Sequence, residues 1–136
     1  LLTLQRGVRC LFKDFFYLLG ELKDAYTEGR GEGEVIEPLI EAEVLVIDEL
    51  GKGRSSEWEL GVLDQLISKR YNASKPTLVT TNYVSPEYAP PDYSSAAAGM
   101  PTLEERIGQR IASRLYEMCE FLYLEGKDHR KAARGG

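Results

Sequence analysis

The chain has 136 residues, 43% hydrophobic and 29% charged, with a net charge of −5. These values describe one globular domain with its own core and argue against a wholly basic nucleic-acid binder, while leaving room for a local basic patch. One histidine (His129) and two distant cysteines (Cys10, Cys119) disfavour a serine-type triad, a multi-histidine metal site or a disulfide framework, and no apolar run approaches a membrane span.

Taken in chain order, Leu1 to Arg6 read as the last turns of an apolar helix closed by Gly7. VRCLF, from Val8, suits a short strand, and Asp14 then caps a helix whose face carries Phe15, Leu18, Leu19, Leu22 and Tyr26. GRGEGE (29–34) predicts a flexible turn, followed by a short helix over VIEPLIEA restarted at Pro38. VLVI, from Val44, is a β-branched run suited to a strand covered on both faces. Ser56 and Glu59 have capping-box spacing, and the helix they open turns Trp58, Val62, Leu63, Leu66 and Ile67 inward.

TLVTTNY, from Thr77, predicts a second buried strand, and the long Pro/Ala/Ser stretch from Val84 to Pro101 a loop. Thr102 and Glu105 cap a helix through LEERIGQRIASRLYEMC, buried along Leu103, Ile107, Ile111, Leu115 and Met118. EFLYLEG reads as a last strand, residues 1–131 as one domain, and 132–136 as a frayed tail. Alternating strands and helices predict an α/β domain with a parallel sheet and flanking helices, whose ligand edge lies at the carboxyl ends of the strands. Asp48–Glu49, Thr81–Asn82 and the loop after Leu124 are expected on that rim.

Two of these clusters suit phosphoryl transfer, which needs charge neutralisation and an oriented nucleophile. Asp48, leaving a buried strand, is placed to hold Mg²⁺ through water, and Glu49 to polarise an attacking water. Taken alone, two carboxylates ending a strand at solvent explain VLVIDE equally well. Asn82 offers an uncharged contact to a phosphate and that water, or a simple turn residue. Arg106, Arg110 and Arg114 line one helix face; Arg106 reads as part of a solvated stripe, and Arg114 as the member of interest. Lys13, Lys23, Lys52 and Arg54 read as surface charges.

VLVIDELG, RYNASKPTLVTTNY and RIGQRIASRLYEMC stand in the order seen in DnaC/DnaI-type helicase loaders. From about Arg6 to Lys131 the chain resembles that branch of the AAA+ ATPases, together with the similar transposition helper IstB. The resemblance implies that Asp48 and Glu49 match the Walker B acids, with Asp-Glu where many loaders have Asp-Asp. It implies sensor 1 at Asn82 and, at Arg114, an arginine finger reaching a neighbouring subunit's ATP, hence a homo-oligomer. Arg130 matches a sensor 2-like contact in part. The helix from Asp14 to Tyr26 corresponds to the region that faces single-stranded DNA.

Expected cofactors are ATP and Mg²⁺, the expected partner is a replicative helicase, and the setting cytoplasmic with no membrane. The departure is the phosphate loop: no GxxxxGK[ST] occurs in the sequence. The chain therefore reads as a partial AAA+ P-loop domain without its first strand and P-loop, the loop expected about one to two turns upstream of Leu1. Without that loop the acids repel a phosphate, so this chain alone is expected to bind MgATP poorly and to be inactive as an ATPase. An open central position is also expected to expose strand edges. Two alternatives remain: an IstB-like transposition helper, and a nucleotide-dead adaptor, for which the full set Asp48, Glu49, Asn82 and Arg114 has no chemical use.

Overall fold

In a computed structural model, residues 7–89 and 99–124 are described. Strand β1 (Cys10–Asp14) leads into helices α1 (Phe15–Thr27) and α2 (Glu32–Glu41), then strand β2 (Val44–Asp48). Helix α3 (Glu57–Asn72), strand β3 (Thr77–Val79) and helices α4 (Leu103–Ile107) and α5 (Gln109–Met118) follow. The sheet is parallel with order β1-β2-β3, in the register Asp14 to Asp48 and Ile47 to Val79. This is the expected α/β architecture, with β2 between β1 and β3. Its Leu45 and Ile47 face lies in the core, but the opposite face, where Phe12, Val46 and Leu78 stand in register, is only partly covered, in contrast to the strand expected to be covered on both sides.

Asp14 caps α1 by accepting from the Tyr17 N–H at 2.9 Å. The buried face of α1 is Phe15, Leu18, Leu19, Leu22 and Ala25, while Tyr26 is 86% exposed. Positions 25 and 26 both satisfy the helical period, and packing against the domain takes the smaller side chain. The expected turn over 29–34 is partly helical, since α2 begins at Glu32. Glu32 and Glu34 favour the helix by facing its positive end, and Pro38 lies inside it instead of restarting it.

The C-terminus of α2 shows how the layers are locked. A helix ends with four carbonyls lacking intrahelical donors. Here Pro38 O accepts from Ala42 N, Leu39 O and Ile40 O from the Arg70 guanidinium, and Glu41 O from Lys75 Nζ. Arg70 is fully buried and donates further to Ala42 O, Pro76 O and Thr77 Oγ1. It thereby ties the end of α2 and the end of α3 to the start of β3.

Ser56 caps α3 by accepting from Glu59 N at 3.2 Å, but the reciprocal half of the expected box is not made. The Glu59 side chain is buried against Gly53 instead. Val62, Leu63, Leu66 and Ile67 enter the core as expected, whereas Trp58 is 39% exposed with Lys23 above its ring. The Thr102–Glu105 box forms in full. Its helix is interrupted at Gly108, whose φ of +87° and ψ of 152° suit glycine almost alone, so one expected helix becomes α4 and α5.

Strand β3 is shorter than TLVTTNY suggests, because Thr80 and Thr81 turn their hydroxyls to the neighbouring loop. Leu78 on it is 55% exposed, in contrast to the buried strand expected. The strand expected over EFLYLEG does not form across residues 120–124. That segment is anchored by Phe121 against Tyr88 and Tyr116, and by Cys119 near Thr77 O. A trough of about 1300 Å³, lined by Leu78, Met100 and Leu122 among others, separates it from β3. With no strand between them, its alternating pattern has nothing to pair with. The expected helix over Leu1–Arg6, the 132–136 tail and His129 lie outside the described residues. Among the described residues no helix is long and apolar enough to cross a membrane.

Candidate functional site

The carboxyl ends of β2 and β3 meet in a small polar assembly organised by Thr80. Its hydroxyl donates to the Asp48 carboxylate and accepts the Glu49 N–H at 3.0 Å. The backbone continues the stitching, with Thr80 N to Ile47 O at 3.0 Å and Leu50 N to Thr80 O at 2.8 Å. Thr81 Oγ1 then donates to Leu50 O at 2.8 Å and accepts from Tyr83 N at 3.2 Å. The turn after β2 and the exit of β3 are therefore one hydrogen-bonded unit.

Glu49 has a φ of +56°, a left-handed conformation uncommon for a residue with a side chain. Its carboxylate pairs with Lys52 at 2.9 Å. The hydrogen bond to Glu49, then its charge, raise the Lys52 ammonium above the usual lysine value. Asp14 is the register partner of Asp48 on β1, so acidic residues end adjacent strands.

Arg106 braces the same turn from α4. Its guanidinium donates to Gly51 O and Gly53 O, and it lies 5.2 Å from the Tyr83 ring centroid. The expected solvated stripe thus loses its first member to a structural role. Gly51, at a φ of +90°, has no room for a side chain: a Cβ would sit 3.0 and 3.1 Å from Tyr83 ring carbons. Gly51→Ala is expected to cost about 1–3 kcal/mol through strain and the displaced ring. A lowered urea midpoint is the readout, and an unchanged midpoint would show that the turn relaxes freely.

Asp48, Glu49 and the Thr80–Tyr83 exit are brought together as the strand order requires. Asn82 follows on the same exit, exposed, its side chain hydrogen-bonded to no described residue. Arg114, on α5, makes no hydrogen bond or ion pair with these residues and is instead ion-paired at 3.3 Å with Asp64 of α3. Arg110, largely exposed, reaches the same carboxylate at 3.5 Å. Arg130 lies outside the described residues.

Thr80, Arg106 and Tyr83 were not legible as site residues, and Lys52 only as a surface charge. The one available signal was the Thr-Thr pair at the end of an apolar strand.

Among the described residues, no group of three or more His, Cys, Asp or Glu side chains is placed to cage a metal ion. A cation held through Asp48 would draw its other ligands from water and phosphate oxygens, which suits magnesium's reluctance to dehydrate.

Comparison with known proteins agrees with the fold and with the family resemblance. The profile of the family described as IstB-like ATP binding protein matches residues 2–134. The replicative helicase loader DnaC of Escherichia coli K12 is 24% identical over 113 residues, covering 82% of this chain and 40% of that protein. DnaC of Shigella flexneri matches to the same extent. A crystal structure of the DnaC helicase loader superposes with a TM-score of 0.67 at 31% identity, covering 87% of this chain and 62% of that one. The chain thus spans less than half the length of the curated relatives it matches. With nearly its whole length inside the family match and its sheet shared with a loader, the chain belongs to the IstB-like ATP-binding family, in the DnaC-type branch of the AAA+ proteins.

Proposed function

We propose that this chain is the Walker B, sensor 1 and arginine-finger part of an ATPase that loads a replicative helicase onto DNA. The observation that carries the reading is the Thr80-centred assembly, which orients Asp48 and the Glu49 backbone at the carboxyl edge of a parallel sheet. Asp48 holds Mg²⁺ through water, and Glu49 orients the water that attacks the γ-phosphate. Asn82 contacts that phosphate and water, and Arg130 adds a further phosphate contact. Arg114 reaches the nucleotide of a neighbouring copy. Bound Mg²⁺ supplies charge neutralisation for the transferred phosphoryl group.

Likeness to loaders by both sequence and structure favours a replicative helicase over a transposase as the partner. The α1 face is the proposed contact for single-stranded DNA.

The test is MgATP hydrolysis by the protein expressed from its complete reading frame. Glu49→Gln is expected to lower turnover by about 10²–10⁴-fold, as for loss of a general base, and Asp48→Asn to weaken the dependence on Mg²⁺. The 136-residue chain alone is expected to bind MgATP more weakly than micromolar by isothermal titration. A wild-type protein without turnover would favour the adaptor reading. Capture of a transposase in place of a replicative helicase would favour the IstB-like helper.

A further inference from the structure

The segment joining β2 to α3 has an unusual backbone. Glu49, Gly51, Gly53 and Ser55 have φ of +56°, +90°, +141° and +54°, so every second residue lies at positive φ. Two of them carry side chains, and such conformations persist where surrounding contacts over-determine them. The near end of the segment is held by Thr80, which binds the Glu49 and Leu50 N–H groups. The far end is held by Ser56, the cap of α3. Between these points one side chain among the described residues binds the Gly51 and Gly53 carbonyls, that of Arg106. Its Nε and Nη2 donate to Gly51 O at 3.1 and 2.8 Å, and Nη2 donates also to Gly53 O.

Arg106 is itself well placed to act as a clamp. Its helix is fixed by the complete Thr102–Glu105 box and by Leu103 N donating to Val84 O at 3.1 Å. The guanidinium is half-buried, lies over the Tyr83 ring, and makes no ion pair among the described residues. Its donors therefore serve the backbone of this one turn, where a planar fork fits two carbonyls.

We infer that Arg106 is a positioning residue for ATP hydrolysis: by clamping Gly51 O and Gly53 O against α4, it holds Glu49 in its left-handed conformation and sets where that carboxylate meets the attacking water. The inference rests on Glu49 being the water-orienting carboxylate. Once the clamp is lost, the turn relaxes toward ordinary φ. Rotation about the Glu49 N–Cα bond leaves its N–H on Thr80 but swings its side chain away. Asp48 stays on β2 with its own bond to Thr80. The loss therefore falls on the chemical step and spares the cation and the nucleotide.

MgATP turnover of the protein from the complete reading frame tests this. Arg106→Met is expected to lower kcat by about 10²-fold, the scale for a misplacement of about 1 Å, with KM for MgATP unchanged. Arg106→Lys, which keeps the charge and reaches a carbonyl without the fork, is expected to fall between the two, and carries the comparison if the methionine variant does not fold. In a Glu49→Gln background, either substitution at Arg106 is expected to lower turnover no further, because the group it positions is gone.

An unchanged kcat for both Arg106 variants overturns the inference and leaves the role of Glu49 standing. So does a loss by the same factor with and without the Glu49 carboxylate, which is what a merely structural arginine gives. Wild-type protein without turnover, or turnover indifferent to Glu49→Gln, overturns the underlying reading, and this inference with it.

Discussion

Replacing Arg70 by alanine is expected to lower folding stability by about 3–5 kcal/mol, a large part of the roughly 5–15 kcal/mol that holds a domain of this size together. The guanidinium is fully buried and pairs with no carboxylate among the described residues; its partners there are the carbonyls of Leu39, Ile40, Ala42 and Pro76 and the hydroxyl of Thr77. Burial alone lowers its pKa from the ordinary arginine value, and the carbonyl dipoles at the α2 C-terminus supply the compensation. Truncation empties a large buried volume and takes the guanidinium donors from the Leu39, Ile40 and Ala42 carbonyls, while Pro76 O keeps Leu45 N, so two penalties add. Arg70→Lys keeps the charge but loses the planar fork, and is expected to recover only part of the loss. The urea midpoint of the three proteins measures this. A drop below about 1 kcal/mol for alanine would mean that water replaces the guanidinium at little cost.

Arg70 also shows which features a sequence hides. Its donors reach carbonyls about thirty residues away, and backbone acceptors leave no trace in side-chain identity. The roles of Thr80 and Arg106 were hidden for the same reason, since one serves a backbone N–H and the other, read as a solvated charge, two glycine carbonyls. Features that depend on local chain geometry were legible. Asp14, Ser56 and Thr102 each accept from the N–H three residues on, and the stripes on α1, α3 and α5 fill the core. The central strand was readable from VLVI as a β-branched apolar run, although only its Leu45 and Ile47 face is fully buried. EFLYLEG misled because alternation describes a capacity to pair, while pairing needs a neighbour. Asp48 and Glu49 were singled out by type and position, yet the threonine that hydrogen-bonds both was read only as strand.

Mixing two inactive variants is expected to restore ATP hydrolysis if Arg114 works across a subunit boundary. Arg114→Ala should lower turnover by about 10³–10⁵-fold, the range for loss of an arginine finger, and Glu49→Gln by about 10²–10⁴-fold. Each variant alone fails at every interface. In an equal mixture, roughly a quarter of interfaces join a subunit with Glu49 intact to one with Arg114 intact, if copies assemble head to tail at random. Turnover should therefore recover to a similar fraction of wild type and rise steeply with protein concentration.

The geometry makes the experiment discriminating. Arg114 is held at 3.3 Å by Asp64 of its own chain and makes no contact with Asp48 or Glu49 among the described residues. Asp64 also accepts from Ser68 and pairs with Arg110, so this carboxylate holds both guanidinium groups between α3 and α5. An arginine serving only that intrachain bridge would act in cis, through stability. Its variant would then lower the urea midpoint, and mixing with Glu49→Gln would recover nothing. Recovery on mixing, with an unchanged midpoint for each variant, requires the arginine of one copy to complete the site of another.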